Sequence, residues 1–510
     1  MDQSPRPPTA LITAALVLTI TFVVASASHL LPLFIGQEHG FATIPPPLNR
    51  RTWLPLLGTI ALLGWFWRSQ ARPFARPWHA VSGAVVLGWL TIMAGILAIP
   101  SGPAYLAAVM LCEGSNSYFA AALQITEPAE FLATFPERMH LLGQHAATQS
   151  AGLTLLHWLL WRLFRLDFFV VAADTATSLV GQFTVESVAI GIGRTWSLPL
   201  TEDDVAAAIF AGATLTLLGT AAALPLFGLV RRYASERAGY LAVALFLLMP
   251  GLWNYTPCID QVYITIFAWA ALALSRYLDR GPASRWAVDL RAFVLTGWLA
   301  GLALLLNFGF VVLPVWAAFL TALAWGRPPV QAGWQRLAVA GLGLPVGWLL
   351  GILTMYLALD YRVLEAIQQS HQAIAPGWGR TYWIWVLADW PEFFISAGWP
   401  VVLLAGAALW TGRPAEEPPA GPWRQLLAVG LLLLALDLSG LIRGEVSRMW
   451  LLYVPPLIVA GVCWLERHEV SARGRLALLL AQSIGAWGLY LFFSGWGVWV
   501  RLFYEPGVWR

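Results

Sequence analysis

Hydrophobic positions along this chain form long unbroken blocks. They do not alternate with polar positions, so the blocks read as helices that are apolar all round rather than as strands. Roughly fourteen such runs, each about long enough to cross a bilayer, cover 10–35, 53–67, 81–100, 147–164, 205–230, 238–256, 260–278, 290–306, 309–325, 337–359, 394–411, 425–441, 449–466 and 475–497. The stretch 168–200 carries Asp174, Glu186 and Arg194 and reads as one weak span or a re-entrant pair. The expectation is an all-α polytopic membrane protein with about 13–15 transmembrane helices. The first run, Leu11 to Phe34, is too long for a signal-peptide core and lacks a clear cleavage site, so it reads as a retained span.

Polar residues in the gaps orient these spans. Arg clusters occupy every second gap: Arg68/Arg72/Arg76, Arg162/Arg165, Arg231/Arg232/Arg237, Arg276/Arg280/Arg285, Arg327/Arg336, Arg413/Arg424 and Arg467/Arg473/Arg475. The positive-inside rule makes these gaps cytoplasmic and predicts a cytoplasmic N-terminus and an outer C-terminus. The other gaps hold Glu38, His39, Glu113, Glu127, Glu130, His145, Asp260, His371, Glu392 and Glu445. Acids and histidines gathered on one side point to chemistry at the outer face of a cell membrane, by expectation a bacterial plasma membrane. Two outer segments stand out by length, Ser101 to Ala146 and Asp360 to Phe393. Within the first, Pro128–Gly143 mixes apolar and charged residues and predicts helices lying along the interface. Long non-spanning segments of this kind usually carry function.

Composition fits this picture. Hydrophobic residues make up 59% of the 510, charged residues 11%, and mean hydropathy is +0.68, a balance that excludes a soluble domain of this size. The net charge of +3 is too small to imply a nucleic-acid partner. All thirty basic residues are Arg, whose forked donors suit phosphate. Cys112, Cys258 and Cys463 lie far apart and form no metal signature; a disulfide between Cys112 and Cys258 is open from sequence alone. The 29 Trp residues read mainly as interfacial belts, with sugar stacking favoured only at Trp378–Trp385. No internal repeat is evident, which counts against an inverted-repeat transporter.

Five polar groups could carry chemistry. Cys112-Glu-Gly-Ser-Asn-Ser-Tyr118 opens the first long segment. There Glu113 could take a proton from a hydroxyl while Asn116 and Tyr118 bind a hydroxylated substrate; the alternative is a solvated loop acid. Gln144–Gly152, with His145, is a donor-rich turn before a span, suited to an anion or to ordinary N-capping. In Asn254–Tyr263 two apolar helices meet and Asp260 begins the second, as an active acid or an N-cap. Leu441–Trp450 places Arg443, Glu445 and Arg448 in a short outer turn, against the positive-inside trend; the choices are phosphate binding or headgroup snorkelling. Asp437, inside the neighbouring apolar run, needs a partner, with one of these Arg expected. Last, His371, Arg380 and Tyr382 could contact phosphate or sugar, or anchor the interface.

Taken in order, these motifs resemble the C-type (GT-C) glycosyltransferase superfamily, multi-span enzymes related to protein O-mannosyltransferases and lipid A aminoarabinose transferases. Glu113…Tyr118 resembles the acid-and-Tyr region of the family's first long outer loop. His145-Ala-Ala-Thr-Gln-Ser-Ala-Gly152 is similar to its H-x-x-T-H-P-P-G turn, here with Gln149-Ser150-Ala151-Gly152 in place of H-P-P-G. Pro225–Arg232 followed by Pro250…Asp260 resembles the helix pair that ends in a membrane-surface Asp. Arg380–Trp383 and Gly444–Trp450 resemble downstream stretches of bacterial members. The likeness implies a catalytic module over 81–470, an N-terminal two-span addition over 1–80, and a C-terminal span and outer tail over 471–510.

The implied activity is transfer of a sugar from a polyprenyl-phosphate-linked donor to a glycan, lipid or protein acceptor, with membrane lipid as surroundings. Glu113, or failing that Asp260, is the expected general base, and Arg443, Arg448 or Arg380 holds the phosphate. No cofactor is specified. A divalent cation (Mg or Mn) bridging acid and phosphate is compatible with the scheme, but no ligand spacing calls for one. The rival readings are a non-catalytic homologue serving as a membrane scaffold and a transporter of lipid-linked solutes.

Overall fold

A computed structural model describes residues 8–27, 51–99, 101–143, 145–180, 183–280, 286–325, 331–374, 381–414, 416–440 and 446–492. All regular structure among them is helical, as hydrocarbon requires: with no water to bond to, each backbone polar group must be satisfied within its own helix. Nine described helices are long and apolar enough to cross a membrane, and two bent helix pairs raise the number to eleven. The architecture is that of a multi-pass helical membrane protein.

Among the described residues, a continuous apolar run is not always one helix. The run 238–256 divides into Glu236–Leu247 and Pro250–Asn254. At about 1.5 Å per residue the first is about 18 Å long, short of the roughly 30 Å hydrocarbon core. The run 394–411 is broken at Gly398, where Tyr382–Ala397 and Trp399–Trp410 meet at 111°. The ambiguous stretch 168–200 is a helix pair bent by 90°, the geometry of a broken span or a re-entrant loop.

The chain divides into two compact units, each built from segments distant in sequence. The first comprises Met1–Pro100, Thr214–Arg276 and Thr381–Val498; the second comprises Ser101–Ala213, Tyr277–Arg380 and Trp499–Arg510.

The core of the first unit is Val454–Arg467, apolar on every side and buried from Val454 to Leu465. It packs against Trp399–Trp410, Pro422–Ser439 and Glu236–Leu247. Pro8–Ala27 lies along Ala472–Phe492, and Trp53–Ala71 along Pro77–Leu97, so residues before position 80 share this unit with residues far downstream. The Gly398 break has φ +92°, a conformation that favours glycine. Gln482, fully buried, donates its amide to the Ala397 carbonyl (3.0 Å) beside the break.

The second unit is organised around Trp286–Ala303 against Gln331–Leu359. Their contact is nearly backbone to backbone. A methyl group on Gly347 would lie 2.0 Å from the Val294 carbonyl oxygen, and one on Gly301 would lie 2.5 Å from that of Trp348. Glycines four apart, Gly297/Gly301 on one helix and Gly343/Gly347/Gly351 on the other, allow this approach. In hydrocarbon, where apolar burial drives no association, such close packing replaces it.

The first long segment and the opening part of the second, 360–374, fold onto each other within the second unit. Pro128–Gly143 forms the short helices Pro128–Ala133 and Phe135–Arg138 and a 3-10 turn over Met139–Leu141. The second segment supplies Val363–Ile374, whose Val363, Ala366, Ile367 and Ser370 recur at helical spacing. Phe131, Phe135 and Met139 pack with Tyr361, Val363 and Ala366 in one apolar cluster. Arg362 latches the rim: its guanidinium pairs with Glu137 and Glu365 and donates to the Ala133 carbonyl. Ser370 donates to the Thr148 carbonyl at 2.7 Å.

Two outcomes follow. Gly347→Ala should destabilise the protein by about 1–3 kcal/mol through overpacking, whereas Gly341→Ala on the same helix, with nothing within 4 Å, should be neutral or stabilising; thermal unfolding in detergent distinguishes them. The Arg362 hydrogen bond holds the Glu137 carboxyl below its ordinary range. A depressed folded-state value stabilises above the unfolded carboxylate range of about 4.3 and is lost as pH falls through the folded value. Protection factors over 128–143, that is exchange rates corrected for their intrinsic fall in acid, should therefore drop on acidification below about pH 4, and Glu137→Gln should remove that dependence.

Candidate functional site

In the first unit, a loop and a turn far apart in sequence form one polar cluster. The loop joins Pro250–Asn254 to Asp260–Leu278. Pro250 opens the short helix at a position where its missing N–H costs nothing. The Leu252 carbonyl beyond it accepts from Thr256 Oγ1 (2.7 Å) and from Gln261 Nε2 (2.8 Å). Those bonds pin the loop, whose Thr256–Pro257 peptide is cis, and set Asp260 at the first position of its helix.

Arg448 meets Asp260 there, Nε to Oδ2 at 3.1 Å, with side chains only 14% and 15% exposed. Cys258 Sγ also donates to Asp260 Oδ2 (3.2 Å), and burial pushes that thiol up, so it stays protonated. Beside the pair runs a buried hydrogen-bond chain. Tyr255 donates its hydroxyl to Ser447 Oγ (2.6 Å), which donates to Glu392 Oε1 (2.5 Å), and the Ser447 N–H reaches the same oxygen. Successive donors polarise one another in a low-dielectric setting. The fully buried Trp450 clamps the turn, its ring against Trp390 (5.5 Å) and Phe393 (5.7 Å).

A second convergence lies in the second unit. Ser117, in Glu113–Ala122, accepts the Ala146 N–H at 2.7 Å, which joins the first candidate group to the His145 turn. The Tyr118 ring lies 5.5 Å from that of His157, a fully buried residue of Ala151–Phe164. Ser150 Oγ and the Tyr361 hydroxyl are 2.9 Å apart, and the Gly152 N–H donates to the Leu305 carbonyl. A methyl on Gly152 would lie 2.1 Å from that carbonyl oxygen, so a close approach of two backbones requires glycine there.

The fate of each expected residue can now be stated. Asp260 and Arg448, read separately as acid and phosphate donor, form one ion pair. Asn116 is buried and gives its amide to the Met110 sulfur (3.3 Å); Tyr118 is buried as well. His145 is half-buried at the head of a 3-10 turn, and His371 is exposed on Val363–Ile374. Tyr382 donates its hydroxyl to the Leu438 carbonyl (2.7 Å), joining two helices, and the adjacent Trp383 is 68% exposed. The expectation of an Arg partner for Asp437 is corrected: that carboxylate accepts from the Trp390 indole at 2.9 Å. All three cysteines are buried thiols, so the open disulfide is not formed. Arg380, Arg443 and Glu445 lie outside the described residues, as does the side chain of Glu113.

Glu392 stood out in sequence only as an outer acid, and Tyr255, Ser447, Ser117, Tyr361 and Arg362 carried no signal beyond their neighbourhood. His157, a lone imidazole in an apolar run, was a visible one. Among the described residues no three His, Cys, Asp or Glu side chains gather to hold a metal ion. Comparison of the chain with known protein families, curated proteins and solved structures found no match.

Removing either member of the Asp260–Arg448 pair leaves a largely desolvated charge, so Asp260→Ala and Arg448→Ala should each cost about 3–5 kcal/mol. The double variant should cost less than the sum, with a coupling of about 1–3 kcal/mol. A double-mutant cycle by denaturant unfolding in detergent checks this, and additive losses would contradict it.

Proposed function

We propose that this protein is a GT-C-type membrane glycosyltransferase that moves a sugar from a polyprenyl-phosphate-linked donor to an acceptor hydroxyl at the extracytoplasmic face. The observation that carries the reading is the Asp260–Arg448 pair. Two segments chosen independently from sequence, one for an acid and one for a phosphate ligand, meet in a largely buried contact. Arg448 is the phosphate ligand. Asp260 fixes the orientation of the guanidinium, and the Tyr255–Ser447–Glu392 chain holds the backbone beside it.

In the reaction the acceptor oxygen attacks the anomeric carbon, and the bond from that carbon to the phosphate oxygen breaks. The acceptor proton passes to a carboxylate base. Negative charge grows on the departing phosphate, and an Arg already oriented stabilises it more in the transition state than in the ground state. Asp260, engaged with Arg448, is a positioning residue rather than the base.

One observation favours a second reading, a non-catalytic membrane scaffold. In the turn that departs from the family's H-P-P-G, Ser150 and Gly152 are taken up by structural bonds to Tyr361 and Leu305.

Purified protein in lipid nanodiscs, supplied with a panel of radiolabelled polyprenyl-phosphate hexoses and pentoses, tests the proposal. Wild type should transfer label, and Arg448→Lys should lower kcat/KM by about 10²–10³. Asp260→Asn should lower it less. No transfer by wild type from any donor, or transfer that survives both substitutions, overturns the proposal and leaves the scaffold.

A further inference from the structure

A cavity of about 520 Å³ opens in the first unit where three of the Arg-bearing gaps come together. Gln70 and Pro73 reach it from the gap of Arg68/Arg72/Arg76, Arg237 from that of Arg231/Arg232/Arg237, and Val470 and Arg475 from that of Arg467/Arg473/Arg475. The positive-inside rule makes all three gaps cytoplasmic. The cavity is also remote along its helices from the Asp260 cluster. It lies at the start of Glu236–Leu247 and just beyond the end of Val454–Arg467, whereas Asp260 and Arg448 sit near their opposite ends.

The lining carries two Arg and two Glu, but the pairing is uneven. The two acids that line the cavity are already engaged: Glu236 accepts from the Tyr240 hydroxyl (2.8 Å) and faces Arg231 (3.6 Å), and Glu466 pairs with Arg475 (3.1 Å). Arg475 is fixed in place, its Nε donating to the Val470 carbonyl and its Nη1 to Gln70 Oε1. Gln70 in turn donates to the Arg237 carbonyl (3.1 Å), which ties the wall together. The Arg237 guanidinium is exposed and has no side-chain partner among the described residues. Pro73, Val470 and Ala472 supply an apolar stretch of the lining, beside the hydroxyl of Ser235. An exposed guanidinium with no ion-pair partner among the described residues, beside apolar wall at a membrane surface, matches a phosphate ester that carries a hydrocarbon substituent.

We propose that this cavity is a binding site for the phosphate ester of an anionic membrane lipid on the cytoplasmic side, with Arg237 as the principal ligand and Arg475 as a fixed second donor. It is independent of the transferase reading.

The test uses the full-length protein in phosphatidylcholine nanodiscs, titrated by calorimetry with dihexanoyl phosphatidic acid or with inorganic phosphate. The expected result is saturable one-site binding of the short-chain lipid. Its Kd should rise at least about tenfold in Arg237→Gln, which removes no bond within the fold, and binding should be blocked in Ala472→Trp, which fills the space. Arg232→Gln, an exposed Arg of the same gap outside the lining, should bind as wild type does. Inorganic phosphate binding as tightly as the lipid would keep the phosphate chemistry but assign the site to a free phosphate. Absence of saturable binding by either probe, or equal losses in Arg232→Gln and Arg237→Gln, would overturn the proposal, the latter because it marks unspecific surface attraction.

Discussion

Hydrocarbon offers a peptide group no hydrogen-bond partner, and this constraint governs the rest of the molecule. While a helix continues, the demand is met within the segment. Where a helix breaks, the freed carbonyls and N–H groups need other partners, and polar side chains are brought in to supply them. Gln482 serves the Ala397 carbonyl at the Gly398 bend. Thr256 and Gln261 serve the Leu252 carbonyl between two apolar helices. Breaks therefore collect the polar residues that can also do chemistry, and Asp260 and Glu392 both lie close to one.

Each unit meets this demand with its own network. In the first, Asp260, Arg448, Tyr255, Ser447 and Glu392 bind a loop to a turn through charge and consecutive hydroxyl donors. In the second, the long segments join through an apolar cluster, the Arg362 latch and the Ser150–Tyr361 contact. The two differ in chemical character. The first holds an ion pair largely shielded from water, where orientation is fixed and charge is strongly felt. The second holds backbones in close approach, most tightly at Gly152, and is suited to shaping a surface.

Several features were legible from residue order because they depend on local composition. Apolar run length announced the helices, and mixed polarity over Pro128–Gly143 announced short helices outside the spans. The polar spots in 168–200 announced a disrupted crossing. Asp260 and Arg448 each stood out because an ionisable group beside hydrocarbon needs a reason. Other features were hidden. The division of 238–256 turns on Pro250 and on how the loop after it is bonded. The role of Ser447 depends on which hydroxyl and which carboxylate the fold brings beside it, and neither is near in sequence. The partner of Asp437 was misjudged for the same reason: proximity along the chain favoured Arg, and packing supplied Trp390.

Sequence by itself therefore determined the class of molecule, since transfer of apolar residues out of water and the need for internal backbone bonds are properties of each segment alone. It also determined which polar residues required an explanation. Only the tertiary structure decided which of them meet. Asp260 with Arg448, Arg362 with Glu137, and the three Arg-bearing gaps around one cavity are pairings of distant segments. Contact between distant segments is fixed by how helices pack and where they break, through bonds no single segment contains.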